Sequence, residues 1–189
     1  MDTYILPYPT SALQPHLSTE AVARGVSHLQ ACQQALDERL QGSDLAGQDL
    51  ELAVASCQGR SFTLAAECFN RSTFWNGLCS RGGGEPGGRI GERLNNDFGS
   101  LAALQEACLQ AAVHLHGDGW IWLVEQADGR LAITVHPATG TPLTGSARPL
   151  MAIDMTELTW GEQYGHDNAQ RLAAFWRLVN WDTAERNLR

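Results

Sequence analysis

Val22, Val26, Leu29, Leu36 and Leu40 recur at helical spacing, so the chain from about residue 19 to 40 is expected to form an amphipathic helix of about five turns. Ser18 stands in front as its cap, with Glu20 in the first turn. A polar break at Gln41-Gly42-Ser43-Asp44 leads to a short apolar segment around Leu50 to Val54, and a second helical stretch runs from about Ser61 to Leu78. Residues 1 to 80 therefore read as a helical hairpin. The run RGGGEPGG at 81–88 cannot hold regular structure, because Gly is entropically costly there and Pro86 lacks a donor; it marks a hinge between two halves. Beyond it, Ser100 caps a helix to about His114. Trp120-Ile121-Trp122-Leu123-Val124 has the continuous apolar character of a buried strand, Asp128-Gly129 is a hairpin turn, and Leu131 to Val135 is its return strand. Pro149 to Ile153 is a third strand and Ala169 to Val179 a closing helix. The expected fold is α+β, with a helical hairpin domain over 1–83 and an α+β domain over 84–189.

Composition narrows the function. Twenty-one acidic residues against 13 basic give a net charge of −8, so the surface repels phosphate backbones and anionic lipids, and neither nucleic acid nor membrane is an expected partner. All the basic residues are Arg; with no Lys there is neither a P-loop lysine nor a Schiff-base lysine. No cationic start, signal-length apolar run or membrane-spanning stretch is present, and a cytoplasmic location is expected. The five cysteines form no C-x-x-C pair and suggest neither a disulfide framework nor a zinc site. Gly82, Gly84 and Gly87 satisfy G-x-G-x-x-G, but a helix precedes them and Pro86 removes a needed donor, so dinucleotide binding is not expected.

LPYPTSALQPHLS near the start, FNRSTFWNGL and GGGEP in the middle, then FGS, GDGWIWLV, DGRLAI, GTPLT, PLMAID and FWRLVNW follow one another in a fixed order. On these segments the sequence resembles the iron/manganese superoxide dismutases along nearly its whole length. The resemblance implies a helical hairpin followed by an α+β domain, and one redox metal bound by three histidines and an aspartate. It places the first ligand histidine at Gly25, or at Arg24 if one residue is deleted, the second at Arg71 within Asn70-Arg71-Ser72, the aspartate at Asp154, and the last histidine at Leu158. Asp154 alone keeps its family identity. The glutamine that bonds metal-bound solvent in the iron enzymes aligns with Glu67, the gateway tyrosine with Gln33 or Cys32, and the aromatic wall remains as Trp75, Trp120 and Trp122.

Among the histidines, His114 and His116 are two apart, His28 lies in the first helix, and His136 and His166 fall in loops. None is read as half of a helical i, i+4 metal pair, and no Cys–His pairing is apparent. Glu67 and Arg71 do share a helix face, and the resemblance brings Asp154 across to them. The expectation from sequence is thus a metal-free, cofactor-free, catalytically degenerate relative that binds an unknown protein partner or small molecule through Glu67, Arg71, Asp154, Trp75, Trp120 and Trp122. One alternative is a repurposed enzyme using Glu67, Arg71 and Asp154 on a small acidic or carbonyl substrate; a remoter one is an active superoxide dismutase with an unfamiliar ligand set. Family dimers join a glutamate to the partner's ligand histidine. Here Glu157 is followed by Leu158, so a homodimer is possible but altered.

Overall fold

A computed structural model describes residues 2–189. Helix α1 (Thr19–Leu40) starts where Ser18 Oγ accepts a hydrogen bond from the Ala21 amide at 3.0 Å, satisfying one of the donors that a helix start leaves unpaired. Its buried stripe runs through Val22, Gly25, Val26, Leu29, Cys32 and Leu36. The short apolar segment is a helix, α2 (Leu50–Ser56), capped by Asp49. Helix α3 (Gly59–Asn76) packs against both α1 and α2. The chain then enters α4 (Gly88–Phe98) and α5 (Leu101–Val113), the latter capped by Ser100.

Strands β1 (Gly119–Glu125), β2 (Leu131–Pro137) and β3 (Arg148–Asp154) form one antiparallel sheet in the order β2-β1-β3. Every residue of the central strand β1 is buried, which explains its unbroken apolar run. Its register sets Trp120 opposite Asp154 and Trp122 opposite Ala152. Helices α6 (Glu157–Tyr164), α7 (Asn168–Trp176) and α8 (Trp181–Asn187) complete the chain. The architecture is the expected α+β one, a helical hairpin followed by a three-stranded antiparallel sheet with helices. What positions the functional groups is that α3 packs on β3 while α1 contacts both α3 and α6.

Helices α4, α6 and α8 had no counterpart in the sequence reading. Each is at most 11 residues long, too short for a sustained period to stand out, and α4 carries two glycines. The glycine run is a packed connection. The Cys79 amide bonds Leu178 O at 2.8 Å, the Gly83 amide bonds Val179 O at 2.8 Å, and the Trp181 indole donates to Gly84 O at 3.1 Å. A Cβ at Gly82 would overlap the Leu178 carbonyl, so the close approach of these backbones requires glycine there. Among the described residues, no helix is long and apolar enough to cross a membrane.

Candidate functional site

Helical spacing puts Glu67, Arg71 and Trp75 along one face of α3, directed at β1, β3 and α1. Arg71 is only 5% exposed. Its Nε donates to Glu67 Oε1 at 3.1 Å and its Nη1 to Asp154 Oδ2 at 3.3 Å, while its guanidinium carbon lies 5.6 Å from the centroid of the Trp120 ring, a cation–π arrangement. Asp154, wholly buried at the end of β3, also accepts from the Thr156 amide at 2.7 Å and the Thr159 hydroxyl at 2.6 Å. Burial pushes the Asp154 carboxyl above its ordinary range, and Arg71 and the threonine donors only partly offset this.

The structure therefore brings Glu67, Arg71, Asp154 and Trp120 into one connected group. Trp122 stacks on Phe69 with ring centroids 5.9 Å apart and lies beside Trp120. Trp75 is fully buried against α1 at Gly25, where a Cβ would run into its indole ring. Of the two candidates for the first family position, Gly25 is the inward one. Arg24 turns outward, donating to Glu162 Oε2 at 3.0 Å and to the Leu158 carbonyl at 3.4 Å. Gln33 is buried and accepts from the Tyr4 amide at 2.8 Å.

A second group was missed. His28 and Cys32 are one turn apart on α1, with Nε2 and Sγ separated by 3.5 Å, and His28 Nε2 lies 2.7 Å from Glu67 Oε1. These three side chains place an imidazole nitrogen, a sulfur and a carboxylate oxygen all within 4.8 Å of one another. The signal was present in sequence as an i, i+4 His–Cys pair, so the expectation of no Cys–His pairing is corrected: helical geometry puts the two on one face. Burial pushes the Glu67 carboxyl up, but the His28 hydrogen bond and the Arg71 charge outweigh it and leave the group below the ordinary carboxylate range. Burial, reinforced by the Glu67 charge, pushes the Cys32 thiol up to about 11.

A helical hairpin laid on a small antiparallel sheet, with a buried aspartate closing β3 toward α3, is an α+β arrangement. The chain belongs to the iron/manganese superoxide dismutase family: residues 86–187 match the iron/manganese superoxide dismutases, C-terminal domain. It is 37% identical over 184 residues, 97% of this chain and 95% of the relative, to "Superoxide dismutase [Fe]" of Escherichia coli K12. Relatives of the same name from Legionella pneumophila and Bordetella pertussis are 35% and 34% identical, covering 97% and 96% of this chain and 96% and 95% of their own lengths.

These likenesses overturn the expectation of a catalytically degenerate, metal-free protein, and with it the repurposing to a small organic substrate. That expectation rests on the loss of histidine at the family's ligand positions and on finding no helical metal pair among the remaining histidines. Full-length similarity to named iron dismutases, together with the His28–Cys32–Glu67 group, contradicts it. Iron does not fit at Asp154 itself, however. The bonds to this carboxylate come from a guanidinium, a hydroxyl and an amide, and no imidazole is among them. A cation there would face the Arg71 charge, and Trp75 fills the space beside Gly25.

Proposed function

We propose that this chain is an active, metal-dependent superoxide dismutase with a ligand set of its own. The observation that carries this reading is 37% identity over 97% of the chain to an iron superoxide dismutase. A redox metal, when bound, supplies the electron exchange by which two superoxide anions and two protons become one dioxygen and one hydrogen peroxide.

Residues of this chain support that chemistry by charge and by access. Glu67, Arg71 and Asp154 together carry one net negative charge when ionised, a setting that favours a bound cation nearby. Trp75, Trp120 and Trp122 are fully or almost fully buried and exclude water from the inner side. The outer side is open, since the His28 side chain is 40% exposed, and a diatomic anion can approach α1 there from solvent. The cysteines are all free, which suits a reducing compartment, and the cytoplasm is the location this reading assigns.

The test is superoxide decay followed by stopped flow, with the purified chain loaded with iron or manganese and with the same chain stripped by chelator. The reading expects decay faster than the spontaneous reaction in a loaded sample and loss of that acceleration on stripping. No acceleration with either metal contradicts it.

A further inference from the structure

We infer that His28, Cys32 and Glu67 form a binding site for one first-row transition-metal ion, displaced by about one helical turn along α1 from the family's position at Gly25. The redox role of this ion rests on the dismutase reading above; the site itself rests on the following geometry.

Three donors converge from two packed helices, Nε2 of His28 and Sγ of Cys32 from α1 and the carboxylate of Glu67 from α3. With ordinary bond lengths of about 2.0–2.1 Å to nitrogen and about 2.3 Å to sulfur, a tetrahedral ion holds nitrogen and sulfur ligands roughly 3.5 Å apart. The His28–Cys32 separation is 3.5 Å, so this edge already has the right length. The His28–Glu67 edge is a 2.7 Å hydrogen bond; it must open to roughly 3.3–3.4 Å as the ion replaces the shared proton. One thiolate, one imidazole and one carboxylate form a mixed borderline set that suits divalent iron, cobalt or zinc better than magnesium or calcium.

The surroundings fit a reactive centre. Cys32 is buried and Glu67 mostly so, while the His28 side chain is 40% exposed, leaving a fourth position toward solvent, as in metal sites that do chemistry. Arg71 donates to the same Glu67 oxygen that meets His28, a contact that orients this carboxylate from behind. Its positive charge opposes the ion, but Asp154 holds the other end of the guanidinium. Arg71 and Asp154 thus act together as the outer support of a site that has moved outward from the core.

The experiment is a titration of the reduced full-length protein with cobalt(II), read by the near-ultraviolet thiolate-to-cobalt charge-transfer band, with stoichiometry from equilibrium dialysis. One equivalent and a charge-transfer band are expected. Cys32→Ser should abolish the band, and Cys32→Ser, His28→Ala and Glu67→Gln should each weaken binding at least about tenfold, with unchanged far-ultraviolet circular dichroism. His166→Ala, at an exposed side chain far along the chain, should change nothing. Absence of the band in wild type, or its persistence in Cys32→Ser, overturns the site. Failure of the two readings is separable. Cobalt binding that depends on these residues without superoxide decay in any loaded sample removes the dismutase reading and keeps the site. Metal-dependent superoxide decay with the metal content of His28→Ala and Cys32→Ser unchanged removes the site and keeps the dismutase reading.

Discussion

Arg71 on α3 and Asp154 at the end of β3 meet through a 3.3 Å hydrogen bond between side chains that are almost and entirely buried. The pair joins the two halves of the chain across the sheet edge; Arg71 is the charge that compensates Asp154 for leaving water, while Arg71 itself is held by both Asp154 and Glu67. Removing one partner strands the other, at a cost of about 3–5 kcal/mol, whereas replacing both with apolar groups of similar volume can be nearly neutral. Arg71→Met and Asp154→Leu should therefore each destabilise strongly, and the double variant should recover most of the loss. Chemical denaturation of the four proteins measures this; additive losses would contradict the coupling.

A side chain at residue 25 competes with Trp75. In an exposed helix, Gly→Ala gains about 1 kcal/mol, but here the new Cβ would overlap a fully buried indole that packs edge-on against Phe74. Overpacking costs about 1–3 kcal/mol and should win. Gly25→Ala is expected to lower the denaturation midpoint, and adding Trp75→Leu should lessen the effect of the alanine relative to the same change in the parent. A stabilised Gly25→Ala would show that Trp75 yields freely.

Buried thiols set an alkaline limit on stability. Burial pushes both Cys68 and Cys108 up from 9.0 to about 12. The unfolded chain ionises these thiols first and so binds fewer protons than the folded one in that window. Their stabilising contribution is complete below pH 9 and is lost as pH rises from 9 toward about 12. Stability measured against pH should fall across that window, and Cys108→Ala should make the fall shallower. Thiol alkylation in the native state should reach the partly exposed Cys57 and Cys79 well before Cys68 and Cys108.

Glu157 is engaged within its own chain. The buried Arg171 donates to Glu157 Oε2 at 2.8 Å and to the Met155 carbonyl at 2.9 Å, and also bonds the Gly165 carbonyl; His166 Nδ1 lies 3.3 Å from the same glutamate oxygen. A glutamate held this way is poorly placed to reach a second subunit. Sedimentation across a concentration series is expected to show self-association that dissociates in the micromolar range. A dimer persisting at nanomolar concentration, with Glu157 at its twofold axis, would contradict this.

Much of the fold could be read from the chain because its strongest patterns are local. The α1 stripe from Val22 to Leu40, the Ser18 and Ser100 caps and the apolar run of β1 each follow from residues close in sequence. Short α4, α6 and α8 take their stability from packing on elements far away, which no local period records. The same division runs through the site. Glu67 and Arg71 were legible as an i, i+4 pair, and Asp154 through its resemblance to a family segment. The metal-capable group was not legible as a whole, because Glu67 comes to His28 only when α1 and α3 pack. Half of it was nonetheless present as His28 and Cys32, four residues apart and so on one face of α1. A donor set displaced along a helix leaves the family's ligand positions empty of histidine while keeping donors nearby.

The most direct test is the metal content of the chain as isolated from cells, purified without affinity tags or added metal and measured by elemental analysis beside the His28→Ala and Cys32→Ser variants. The account predicts about one transition-metal ion per chain in the parent and a large loss in both variants. A parent protein that is folded yet carries no stoichiometric metal would contradict it.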